Sequence, residues 1–232
     1  MHNLRTPIPT LTTKERNLGL GYLLFQLLIL PGLLALFYSM LPYPIGPGLL
    51  NFLFFAINAI AVGVIFHRLL RKSVLRFCHA PKESFSAAGV GLILYWISMS
   101  SLSVMVALFF PGFVNLNDSN ITNIAADQFW LTAIGAVLLV PLAEETMHRG
   151  LVFGLLYPRY PTVAYFVSAG IFSLIHVLSY IGLYEPLFLL LAFVVYLPAG
   201  AVLAYAYRRS GTLLAPMLIH AAVNAMGILS MR

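Results

Sequence analysis

Charge is what this sequence has least of. Only 9% of its 232 residues are Asp, Glu, Lys or Arg, against about 25% in an ordinary soluble domain. A chain so poor in charge cannot clothe a water-facing globule. Cysteine is almost missing as well. Cys78 stands alone, which excludes an internal disulfide framework and a cysteine-based zinc site. The sequence holds no internal repeat and no low-complexity segment. It also lacks a cleavable signal: the first apolar stretch is too long for an h-region and has no small-x-small exit, so it is expected to stay as an anchor.

Hydrocarbon fills the space that charge leaves. The chain is 61% hydrophobic, with a mean hydropathy of +0.93. Apolar runs fall at 18–40, 49–67, 85–110, 128–157, 162–181, 186–207 and 212–230. Each is near the roughly 20 residues that cross a bilayer core of about 30 Å. The expected fold is all-α, a polytopic transmembrane helical bundle of about seven spans. It divides into a motif-free N-terminal region of three spans (1–127) and a four-span core (128–230).

The net charge of +6 is unevenly spread. Arg5, Lys14 and Arg16 lie in the N-terminal tail, and Arg68, Arg71, Lys72, Arg76 and Lys82 in the second connection. Arg149 and Arg159, then Arg208 and Arg209, and finally Arg232 complete the set. The alternate connections, 41–48, 111–127 and 182–185, have no Lys or Arg and carry Asp118, Asp127 and Glu185 instead. The positive-inside bias then places the N-terminus in the cytoplasm and the C-terminus outside a cell (inner) membrane. The basic excess is a topology signal and an anionic-lipid contact, not a nucleic-acid surface. Residues 67–83 read either as a short basic amphipathic helix on the inner surface or as an ordinary loop.

Ionisable groups inside such runs cost a few kcal/mol and persist where they pair, line a wet cavity or do chemistry. Here they are Glu144, Glu145, His148 and Arg149 in the fourth run, His176 in the fifth, and His220, with the polar Asn224, in the seventh. Glu145 and Arg149 are four apart and can pair on one helix face. Glu144 lies about 100° round the helix and can point elsewhere. His220 and Asn224 also share a face. If the fourth helix continues to about Tyr157, Glu144 and His176 lie roughly 20 and 22 Å from their cytoplasmic helix ends, and His220 and Asn224 roughly 13 and 20 Å. Three helices thus bring polar groups to a similar depth. A partly dry carboxylate is a general base, a histidine beside it can share its water, and an imidazole with a carboxamide can stabilise an oxyanion. Such a set can hydrolyse an amide.

The motifs "EETMHRG", "FSLIH" and "HAAVN" fit E-E-x-x-x-R, F-x-x-x-H and H-x-x-x-N in order on successive apolar segments. Over about 128–230 they resemble the CPBP (Abi) family of type II CAAX prenyl proteases and bacteriocin-processing or immunity proteins. The resemblance implies an intramembrane endopeptidase whose site opens to the cytoplasm. Its substrate would be a membrane-associated peptide or protein, such as a CAAX-type tail or a bacteriocin leader. By position, Glu144 would be the base, His176 would share the water, His220 and Asn224 would form the oxyanion site, and Glu145 and Arg149 would position it. His148 departs from the apolar or aromatic residue usual in relatives.

Metal use stays open at this point. Glu144, His176 and His220 could supply three ligands to zinc, while the Arg149 charge and the His220/Asn224 pair favour a metal-free site. A catalytically silent membrane scaffold or immunity protein, and a proton-coupled transporter, are the competing readings.

Overall fold

The computed structural model describes residues 8–43 and 45–231. Arg5 and Arg232 of the charge pattern lie outside the described residues. Among those described, the chain is helical throughout and has no strand. The helices are α1 (Thr13–Leu28), α2 (Leu30–Met40), α3 (Pro47–Ile65), α4 (His67–His79) and α5 (Pro81–Phe109). They are followed by the long α6 (Leu116–Leu156), then α7 (Pro161–Leu178), α8 (Pro186–Ser210) and α9 (Leu214–Ser230). Five helices (α3, α5, α6, α7 and α8) are long and apolar enough to cross a membrane. The pair α1 and α2 makes a sixth span if counted as one. The seventh expected span is α9, which is apolar but only 17 residues long.

Local chemistry sets these boundaries. Proline opens α3, α5, α7 and α8, at positions whose N–H would have no helical partner anyway. Thr12 and Glu15 form a capping box at the start of α1. Gly211 ends α8 in the left-handed region at φ 69°.

Two expectations change. The run 18–40 is not one straight helix: α1 and α2 meet at 48°, because Pro31 cannot bond back to Leu27. The connection 111–127 is helical from Leu116 onward, since the Asn115 side chain accepts from the N–H groups of Asn117 and Asp118 and caps α6. The expected start of the fourth span survives only as a kink at Gln128, where φ is −138° and ψ 69°. The segment at 67–79 is a helix rather than an ordinary loop.

The basic helix ends gather at one face. There α4 is tied to α1 and to the α8–α9 turn. The Glu15 carboxylate accepts from Leu69 N–H at 2.8 Å, Lys72 donates to Thr10 O at 2.9 Å, and Thr212 Oγ1 donates to Ser73 O at 2.8 Å. Inside this end sits an apolar core of Val62, Phe66, Leu69, Leu151, Phe153, Tyr207 and Leu213. A second core group, with Phe172, Leu203 and Ile219, lies where α7, α8 and α9 meet. Helices α7 and α8 pack tightly along their length. Their small residues let the backbones approach until a Cβ on Gly200 would stand 2.7 Å from Ala169 Cα, the packing mode that serves where lipid removes the hydrophobic drive.

Candidate active site

The site is built on an irregular stretch of α6. Around Pro141 the helix widens into π turns, at Gly135–Leu139 and again at Thr146–Phe153. Proline removes a backbone donor, and single π turns accommodate such defects and re-aim side chains. Glu144 and Glu145 lie between the two wide turns, on six residues of ordinary α-helix.

The two adjacent carboxylates have different surroundings. Glu145 is wholly buried. Its Oε1 accepts from Arg149 Nη1 at 3.1 Å and meets His220 Nδ1 at 2.8 Å. Arg149, also wholly buried, donates from Nη2 to the Gly200 carbonyl at 3.0 Å and lies 4.5 Å over the Phe172 ring. One carboxylate thus binds α6 to α9, while its cation binds α6 to α7 and α8. Glu144 is half-buried, and its Oε2 has no hydrogen-bond partner among the described residues. The Glu144 residue lines a cavity of about 1100 Å³.

Glu144, His148, His176, His220 and Asn224 all line this one cavity, whereas Glu145 and Arg149 lie behind its wall. Each imidazole is held by Nδ1. His148 donates to the Glu144 carbonyl at 2.7 Å, His176 to the Phe172 carbonyl at 2.7 Å, and His220 to Glu145. In each case Nε2 is the nitrogen left for other partners, as a hydrogen-bonded Nδ1–H dictates. Asn224 donates from Nδ2 to the Ala136 carbonyl at 2.7 Å, fixing its amide so that one N–H and the carbonyl oxygen remain. Glu144 interacts electrostatically with His176 and Arg149, and the three imidazoles with one another.

Sequence reasoning missed the wall opposite. Tyr196 of α8 stacks on His176, ring centroids 4.2 Å apart and planes at 28°. Its hydroxyl donates to Asn115 and Asp118 oxygens at 3.2 and 3.1 Å and accepts from Asn117 Nδ2 at 3.2 Å. The only signal was a tyrosine in an otherwise apolar run ("FVVYLPAG") and a cluster of polar side chains in what read as a loop. The cavity lining leads to these residues, at the end without basic groups. The resemblance assigns the opening to the other end.

Zinc does not fit this arrangement. Among the described residues, no three His, Cys, Asp or Glu side chains are grouped so as to hold an ion. No chemical step is therefore routed through a metal.

Residues 126–226 match the family described as type II CAAX prenyl endopeptidase Rce1-like. Neither a curated protein nor a solved structure matches the chain.

Proposed function

We propose, from the premise that residues 126–226 belong to the type II CAAX prenyl endopeptidase family, that this multi-pass membrane protein cleaves a peptide bond of a membrane-associated peptide or protein with water activated by Glu144. The observation that carries the reading is the split between neighbouring carboxylates: Glu145 is wholly buried and tied through Oε1 to Arg149 and His220, whereas Glu144 is half-buried and lines a cavity shared with His176, His220 and Asn224.

In this reading the Glu144 carboxylate takes a proton from a water that His176 Nε2 also holds. The water oxygen attacks the amide carbon, and the carbonyl π pair moves onto oxygen. That oxyanion is met by the remaining Asn224 N–H and by His220. Because His220 Nδ1 already bonds to Glu145, its Nε2 can donate only as imidazolium, a charge that the Glu145 carboxylate offsets. Collapse of the tetrahedral adduct breaks the C–N bond, and the proton held by Glu144 passes to the leaving amine. Glu145 and Arg149 act as positioning residues, fixing the ring of His220 and the approach of α8.

The test compares the peptides released in cells expressing the wild-type chain or Glu144→Ala, confirmed with purified full-length protein and the peptides so found. Products absent from Glu144→Ala at equal protein level are expected. Full cleavage by Glu144→Ala would refute the mechanism.

A further inference from the structure

We propose that Tyr196 is a positioning residue: its ring fixes the plane of the His176 imidazole and so aims Nε2 into the cavity. The role of that nitrogen rests on the proteolytic reading above. The contact between the two rings does not.

The three imidazoles of the cavity are held by different means. His148 is 1% exposed, which leaves its ring no room to turn. His220 is 7% exposed, and the Glu145 carboxylate pins its Nδ1 at 2.8 Å. His176 has neither support. It is half-buried on the cavity wall and bonds through Nδ1 to the Phe172 carbonyl at 2.7 Å. One bond at one ring atom leaves an imidazole free to tilt, because the torsion that sets its plane is broad. The groups that interact electrostatically with His176 are Glu144, His148 and Asp118 of α6 and His220 of α9. A tilted ring would turn Nε2 from one of them towards another.

Tyr196 supplies the missing restraint. Its ring lies 4.2 Å from that of His176, with the planes only 28° apart. The other two imidazoles meet their aromatic neighbour Phe172 edge-on, at 89° for His148 and 77° for His220. Phe172 is also 4.6 Å from His176, but tilted by 48°. Face stacking is a geometry that aromatic pairs favour, and it resists tilt where an edge contact does not. The tyrosine is itself tied down. Its hydroxyl proton lies between Asn115 and Asp118 oxygens at 3.2 and 3.1 Å, and its oxygen accepts from Asn117 Nδ2 at 3.2 Å. All three partners sit at the capped start of α6. Tyr196 also precedes Gly200 by four residues, so one face of α8 gives Arg149 its carbonyl and His176 its stacking partner. A side chain that only filled space between α7 and α8 would need neither the parallel ring nor the polar anchor.

The test uses full-length protein with three substitutions. Tyr196→Leu removes the ring. Tyr196→Met does the same while filling the gap with a flexible chain, and serves if the first variant does not fold. Tyr196→Phe keeps the ring without its hydroxyl. Each protein carries isotope-labelled histidine and is read by NMR in detergent, with the His176 signals assigned by their loss in His176→Gln. Protons over an aromatic face are shielded, so the His176 ring protons should move downfield in Tyr196→Leu and Tyr196→Met and stay near wild type in Tyr196→Phe. On a peptide that the wild type cleaves, the two non-aromatic variants should lose about tenfold to a hundredfold in kcat with KM nearly unchanged. Tyr196→Phe should stay within about threefold of wild type. Unmoved His176 signals, a non-aromatic variant with wild-type kcat, a loss expressed only in KM, or Tyr196→Phe as impaired as Tyr196→Leu overturns the proposal. The NMR shift needs no turnover. If it appears in a chain that cleaves nothing, the protease reading fails and the positioning contact stands; cleavage with unmoved His176 signals does the reverse.

Discussion

Glu145→Ala is the substitution whose cost can be worked from the geometry. The Glu145 carboxylate holds two charge-assisted contacts, from Arg149 at 3.1 Å and His220 at 2.8 Å, and both it and Arg149 are 0% exposed. Charge-assisted hydrogen bonds contribute about 1.5–3 kcal/mol each, so two of them give about 3–6 kcal/mol. Breaking one partner out of a buried ion pair costs about 3–5 kcal/mol by direct comparison, in agreement. At about 2–4 °C per kcal/mol for a chain of this size, the melting temperature in detergent should fall by about 6–20 °C. Glu145→Gln keeps acceptor oxygen but not charge and should lose about half as much. The decisive variant is Glu145→Ala/Arg149→Leu, which removes both charges together. It should recover about 2–3 kcal/mol relative to the sum of the single variants, yet stay without activity because His220 has lost its anchor. Additive destabilisation in the double variant, or a Glu145→Ala protein as stable as wild type, would refute the buried pair as the brace of the site.

The other predictions concern single features of the site. Glu144→Gln should abolish cleavage while leaving the melting temperature unchanged, because Glu144 Oε2 makes no hydrogen bond that the fold would miss; thermal unfolding beside peptide release reads both. His148→Phe should change stability by less than about 1 kcal/mol, since it removes the unpartnered Nε2 but also the Nδ1 bond to the Glu144 carbonyl, and a phenyl ring keeps the edge contact to Phe172 at 5.6 Å; cleavage should persist, which kcat and KM on the same peptide would check. Gly200→Ala should cost about 1–3 kcal/mol and depress cleavage, as its Cβ would stand 2.7 Å from Ala169 Cα and push the Gly200 carbonyl away from Arg149. Chelator treatment should leave cleavage intact, with metal analysis of the purified chain as the matching measurement.

The helices were legible because the signals that set them are local. A span announces itself by its apolar run, and proline or a capping Asn marks where it starts. The misreadings arose where a local rule met a longer-range one. Residues 116–127 looked like a loop from their polarity, but polarity at a helix N-terminus is also what caps it, as Asn115 does. The break at Ile29 was hidden inside a continuous apolar run because lipid tolerates either a straight helix or a bent pair. In the site, the pairing of Glu145 with Arg149 followed from their spacing of four. Its extension to His220 did not, because nothing in the spacing of residues 145 and 220 says that α6 and α9 touch. Tyr196 was illegible for the same reason: its partners, Asn115 and Asp118, are close only through packing.

That difference between local and cross-helix signals bears on why the two glutamates are adjacent. One helix must supply both a fixed charge that binds its neighbours and a free carboxylate that faces water. Adjacent residues diverge by about 100° on an α-helix, enough to send one side chain into the packed interior and the other to the cavity. Arg149 is a single positive charge, and its one carboxylate partner is Glu145. It cannot fully neutralise both carboxylates, and one oxygen of each, Glu144 Oε2 and Glu145 Oε2, is buried without a hydrogen-bond partner among the described residues. A buried acceptor of this kind is costly unless water or a substrate completes it. The wide turns on either side, Gly135–Leu139 and Thr146–Phe153, set the two carboxylates between irregular segments, where a regular helix would have kept every backbone bond. The stability forgone at Pro141 and at the unpartnered Glu144 and Glu145 oxygens is thus concentrated beside the point where the proposed mechanism places its water, and it is offset by the ion pair, the close α7–α8 contact and the apolar core at the basic end.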